Sequence, residues 1–195
     1  MNLCDDLPYS VEIGGKQYKL TPAFDNVLQM FAQTNDPTLT DTEKAELMIY
    51  YLADNAPITA EALTAIFNAL FTVQPKEASG PKAFDFVQDA DLIYAGFMQS
   101  YHIDLIDQQG KLHWWKFSAL LQGLPENTRF REVVNLRMRP LPEPTKYNSK
   151  ERAALIKAKQ AVALRITAEE REAELQNSLR RMAAVMLQQA KEDNE

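Results

Sequence analysis

The stretch Leu112 to Leu124, LHWWKFSALLQGL, constrains this chain more than any other, because it sets both tryptophans side by side in a helix-compatible run. Projected at about 100° per residue, Trp114, Phe117, Leu120, Leu121 and Leu124 share one face, so the spacing predicts a helix with an aromatic, core-seeking side. Gly123 is placed to help end it. Trp115 falls roughly opposite, beside Ser118 and Gln122. The two indoles therefore need separate neighbours. Trp114, Phe117 and Leu121 are candidate core residues, whereas Trp115 must find either another part of this chain or a partner protein. Because tryptophan is enriched at binding hot spots, Trp115 is a candidate interface residue.

The segments before this stretch read as a β-hairpin followed by helices. Tyr9–Ile13 and Lys16–Leu20 flank Gly14-Gly15, a pair that supplies the positive φ angles of a tight hairpin turn. A lone hairpin is marginal in water, so its apolar face needs a helix beneath it. Thr21-Pro22 predicts the start of that support, with Phe24, Val27, Leu28 and Phe31 at helical spacing. Thr40 to Glu43 forms a capping-box pattern that opens a helix to about Asp54, with Leu47, Met48, Tyr51 and Leu52 inward. Thr59 starts another, carrying Leu63, Ile66, Phe67 and Leu70.

Gln74 to Lys82 contains Pro75, Ser79, Gly80 and Pro81 and reads as a flexible connection. From Phe86, a stripe of Ala90, Ile93, Tyr94, Phe97 and Tyr101 predicts a helix with a buried aromatic face, which makes Phe97 and Tyr94 candidate core residues. Asp85, Asp89 and Asp91 near its start suit the positive end of a helix dipole and lack the turn glycine and downstream glutamate of a calcium loop. Ile103 to Asp107 is a short connection closed by Gln108-Gln109-Gly110.

Pro125 to Arg139 predicts a further helix, with Phe130, Val133, Val134, Leu136 and Met138 apolar and Arg129, Arg131, Arg137 and Arg139 projecting elsewhere, toward solvent, the acidic first half of the chain or an acidic partner. Pro140, Pro142 and Pro144 enforce an extended segment. Beyond Asn148-Ser149 the composition is helix-forming almost to the end, as one bent helix or two, with a second capping-box pattern at Thr167 to Glu170. Leu175, Leu179, Met182 and Met186 form a short heptad-like seam and are candidate interface residues. That stripe either packs on the chain's own body or docks onto a second subunit or a partner helix.

The expected class is therefore mainly α: a compact helical domain with a small N-terminal β-hairpin and a long C-terminal helical extension. Its parts are a hairpin and helical subdomain over 1–74, a linker over 75–82, an aromatic-rich helical subdomain over 83–140 packing with the first, a proline-rich connector over 141–147, and a C-terminal helix or helical hairpin over 148–195.

Charge narrows the partners. Residues 1–110 carry 5 Lys/Arg against 16 Asp/Glu, residues 111–147 carry 7 against 3, and residues 148–195 carry 9 against 8. An acidic first half repels phosphate backbones and argues against nucleic acid; the opposite signs favour internal docking or a homo-oligomer. The single cysteine, Cys4, excludes an internal disulfide and a cysteine-based metal cage, and no apolar run reaches the ~18 residues of a membrane span. His102 and His113 stand without companions at zinc spacing, and His113 reads as a packed or capping residue rather than a base. No phosphate loop, dinucleotide fingerprint or nucleophile elbow is present, so no catalytic residue, metal or cofactor is expected.

Three segments together resemble the gene-product-fifteen family of tailed phages, from siphophages and prophages of Gram-positive bacteria. They are Asp6-Leu7-Pro8 with the hairpin VEIGGKQYKL and the helix after it, FDFVQDADLIYAGFMQSYHIDL from Phe84, and LHWWKFSALLQGL followed by PENTRF, so that the resemblance covers roughly 1–140. The chain differs after Arg137, where the family's polar run is replaced by RMRPLPEP. That family is encoded between the tail tube protein and the tape-measure protein, the position of tail assembly chaperones. The resemblance implies a chaperone of the host bacterial cytoplasm whose partners are the tape-measure protein and the tail tube protein. The alternatives are a structural subunit retained in the tail and an uncharacterised phage enzyme.

Overall fold

In the computed structural model the described residues are Cys4, 6–71 and 82–165. Strand β1 (Ser10–Ile13) pairs antiparallel with β2 (Lys16–Lys19), with Val11 opposite Tyr18. Gly14 and Gly15 adopt φ of +56° and +75°, the left-handed values that a two-residue turn requires.

Seven helices follow among the described residues: α1 (Phe24–Thr34), α2 (Asp41–Leu52), α3 (Ala60–Phe71), α4 (Ala90–Tyr101), α5 (Trp114–Gln122), α6 (Arg129–Met138) and α7 (Ser149–Ala161). The architecture is thus mainly helical with one small hairpin. Residues 1–162 belong to one compact unit. Within it, α2 packs on α1, α1 and α4 both pack on α5, α6 packs on α4, and α7 packs on α6.

Several boundaries differ from the sequence expectation, each for a local reason. The hairpin rests on α3 rather than on the helix after Pro22, and the Gly14 amide donates to the Glu61 carboxylate at 3.0 Å. Helix α1 begins at Phe24, because the residues before it pair across the molecule: the Trp114 amide donates to the Pro22 carbonyl at 2.7 Å and the Phe24 amide to the Leu112 carbonyl at 2.9 Å. The α2 capping box forms as expected, the Thr40 hydroxyl accepting from the Glu43 amide and the Glu43 carboxylate from the Thr40 amide. Helix α2 buries Ile49 and Leu52, while Leu47, Met48 and Tyr51 are half-buried. In α3 the inward stripe is Ala62, Ile66 and Leu70, so Phe67 turns outward and is 54% exposed.

Helix α4 starts at Ala90, after a turn over Phe86–Asp89, and stops where His102 takes a left-handed φ of 54°. Helix α6 starts at Arg129, four residues later than the sequence suggests. The fully buried Thr128 caps it, accepting from the Arg131 amide and donating to the Pro125 carbonyl. Two glycines permit close approach. A Cβ on Gly96 would lie 3.1 Å from Leu124, and one on Gly123 would lie 3.2 Å from the Tyr101 hydroxyl, which donates to the Leu120 carbonyl. Gly123 therefore serves by leaving room for Tyr101, since its φ of -83° is open to any residue.

Helix α7 buries no residue. Polar bonds tie it to α6: the Lys159 ammonium donates to the carbonyls of Arg137 and Arg139, at 2.7 and 2.6 Å, and the Arg137 guanidinium donates to the Val162 carbonyl. The helix ends at Ala161. The proposed second capping box at Thr167, the seam of Leu175, Leu179, Met182 and Met186, and most of the 75–82 linker lie outside the described residues.

Candidate functional site

The aromatic face of α5 is the centre of the core. Phe117 stacks on Phe24 from α1 at 4.8 Å between centroids, on Phe97 from α4 at 5.3 Å and on Trp114 at 5.7 Å. Edges of Phe31, Phe71 and Phe86 meet the Trp114 ring. Trp114, Phe117, Leu121 and Phe97 are buried, and Tyr94 is half-buried with its hydroxyl donating to Asp104 at 3.1 Å. Such ring geometries add to the large area each aromatic removes from water.

Trp115 lies on the other side of α5, as the helical wheel places it, and α3 occupies that side. Its indole N–H donates to the Leu70 carbonyl at 2.8 Å, satisfying one of the free carbonyls at the end of α3. The second neighbour that this ring requires is thus supplied by the chain itself, and the ring remains half-buried.

His113 precedes the pair and caps the helix. Its Nδ1 accepts from the Trp115 amide at 3.0 Å, so the proton sits on Nε2, which faces the Pro8 carbonyl at 3.5 Å. Burial pushes the imidazole below its usual value of about 6.5, the Pro8 carbonyl opposes this, and the nearby Lys116 charge reinforces it. The unfolded chain then binds a proton that the folded chain refuses over the window from about 6.5 downward to the depressed folded value. Stability should therefore rise with pH across that window and fall on acidification through it. We expect the midpoint of thermal unfolding to drop between pH 7.5 and 5.5. His113→Asn, which keeps a capping oxygen, should flatten that drop; an unchanged slope would show that another group carries it.

The acidic cluster before α4 does not act only on a helix dipole. Asp89 is 2% exposed, and Arg137 from α6 grips it with two bonds of 2.6 and 2.8 Å. Asp89 also accepts from the Asp85 amide, while the same guanidinium donates to the Ala83 carbonyl. Asp85 accepts from the amides of Val87 and Gln88 and pairs with Lys82. Among the four arginines of this region, Arg129 and Arg131 pair on the surface with Glu132 and Glu126. Arg137 alone of these makes a pair with both partners buried.

Between α1 and α4 a cleft reaches down to the core. This cleft of about 470 Å³ is walled by Phe24 and Leu28 on one side and Ile93 and Tyr94 on the other, with Phe117 and Leu105 among its apolar lining. Ile106 lines it too and is 65% exposed. Asp91 lines the cleft; Asp104 and Asp107, on the adjoining loop, hold the Tyr94 hydroxyl above its ordinary range, chiefly through the Asp104 hydrogen bond. Asp25 accepts from the Gly110 amide and so ties α1 to that loop. The sequence stripes located Phe24, Ile93 and Phe117 but gave no sign of the opening, because Leu105, Ile106 and Gln109 come from a segment without periodicity.

Among the described residues no group of three or more His, Cys, Asp or Glu is placed to hold a metal ion, and no helix is long and apolar enough to cross a membrane. An apolar cleft with a carboxylate margin is suited to receiving apolar side chains and cationic groups together. No curated protein and no solved structure matches the chain. The family model described as bacteriophage Gp15 protein matches residues 3–164, from before the hairpin to just beyond α7 and past the 1–140 span of the sequence resemblance. The chain belongs to the bacteriophage Gp15 protein family.

Proposed function

We propose that this phage protein is a tail assembly chaperone, which binds the tape-measure protein through apolar helical surface in the host cytoplasm and uses neither a catalytic group nor a cofactor. The observation that carries the reading is the cleft between α1 and α4, where accessible apolar side chains, Leu28, Phe86, Tyr94 and Ile106, stand beside the Asp91 carboxylate. The gene position implied by the family resemblance supports the choice of partner. Asp89 and His113, the buried ionisable groups nearest to a catalytic appearance, are occupied as an ion pair and a helix cap.

Co-expression with the adjacent tape-measure protein tests this. The tape measure should stay soluble and be retained on the tagged chaperone, and should aggregate when expressed alone. Failure to retain it would overturn the reading. Mass spectrometry of purified virions should find the chain absent, whereas its presence at tail-subunit stoichiometry would instead favour a structural subunit.

A further inference from the structure

Two features of the cleft define its occupant more closely than the function alone. Helices α1 and α4 both pack on α5, and the cleft between them is lined by the half-buried Leu28, Phe86 and Tyr94, with the buried Phe117 at its floor. An apolar opening of this form fits the ridge of an added helix, which anchors through side chains one turn apart. Ile106 extends the apolar surface from the cavity onto the rim, where a ligand confined to the cavity would leave it uncovered.

Charge then selects among helices. Asp91 lines the groove and Asp107 follows Ile106, and neither carboxylate makes an ion pair among the described residues. Asp25 and Asp104 add two further negative charges, although each accepts a backbone amide. Lys111 stands on the same loop, with its ammonium donating to the Asp107 carbonyl. The margin is therefore net negative, and helices with glutamate beside the apolar ridge would meet like charge there.

We propose that the α1–α4 cleft is a docking groove for a single amphipathic helix of a partner protein, with its apolar ridge seated against Leu28, Phe86, Tyr94 and Ile106 and its flanking lysines or arginines meeting Asp91 and Asp107. The proposal deepens the chaperone reading and rests on it only in taking the occupant to be a protein. It places the contact in the described domain and gives the recognised element a sign of charge.

The test uses the full chain and two helical peptides of about five turns with one shared leucine and methionine ridge, flanked by lysine in one and by glutamate in the other. Isothermal titration should show the lysine peptide binding at least ~tenfold more tightly. Asp91→Lys combined with Asp107→Lys should reverse the preference. Ile106→Asp, a change at an exposed position, should weaken the lysine peptide by about tenfold while leaving the melting curve in place. Equal affinity for both peptides, or full affinity in folded Ile106→Asp protein, would overturn the proposal, as would an apolar dye occupying the cleft while neither peptide binds. The two readings fail separately. If the tape measure is retained by wild type and by Ile106→Asp alike, the chaperone role stands and the groove assignment falls. If the lysine peptide binds with the stated variant response but the tape measure is not retained, the groove stands and the named partner falls.

Discussion

Arg137→Ala is expected to lower the free energy of unfolding by about 3–5 kcal/mol, the cost of leaving a buried carboxylate without its counter-charge. Its side chain is 8% exposed and that of Asp89 3%, so solvent cannot take over the lost bonds. The substitution also strips the Ala83 and Val162 carbonyls of a donor and weakens the link from α6 to α7. A loss of this size is a large share of the ~5–15 kcal/mol that holds a typical domain folded. The double variant Asp89→Leu/Arg137→Met, which removes both charges, should lose less than Arg137→Ala alone. Urea unfolding curves measure both. If the double variant is as unstable as the sum of its singles, stranded charge is not the cause.

Trp114→Ala is the second large effect, at about 3–5 kcal/mol, because it empties the space at which Phe31, Phe71, Phe86 and Phe117 converge. The two tryptophans should separate when each is replaced by phenylalanine. The Trp114 indole N–H is buried without a hydrogen-bond partner among the described residues, so Trp114→Phe removes no bond and should cost well under half of the alanine value. Trp115→Phe keeps a ring but leaves the Leu70 carbonyl without its donor, a loss of about 1–3 kcal/mol if that carbonyl stays dry. Thermal melts of the three single variants check the pattern. A Trp114→Phe protein as unstable as Trp114→Ala would show that indole shape, rather than apolar volume, is what the core requires.

Local physics makes much of this fold readable in the sequence. Gly14-Gly15 could turn only one way economically, Thr40 and Glu43 had to meet one turn apart, and the spacing from Trp114 to Leu124 left little choice of face. What escaped was non-local. Asp89 and Arg137 lie 48 positions apart, and although the charge pattern allows Arg137 to meet the acidic first half, nothing beside either residue singles out this pair. The starts of α1 and α6 were misplaced because Pro22 and Phe24 bond to Leu112 and Trp114, and because Thr128 offered a cap that outweighed Pro125. Phe67 shares the helical spacing of Leu63, Ile66 and Leu70, yet the tighter Ala62–Ile66–Leu70 line forms the interface. The cleft has no sequence pattern because its lining combines two helices with an irregular loop.

The backbone bonds that join Pro22 and Phe24 to Trp114 and Leu112 also bear on the order in which the protein can be completed as it is made. The segment around Trp114 bonds backward to Pro8, Pro22, Asp25 and Leu70, at separations that reach 105 residues. Until the ribosome has delivered residue 115, the hairpin, α1 and the end of α3 exist without the piece that joins them, and closing so long a loop costs entropy before any contact repays it. A chain released or cut before that point leaves Phe24 without Phe117, and Phe31 and Phe71 without Trp114. The double tryptophan is therefore a completion signal as well as a core: translation must pass it before the N-terminal third can be native.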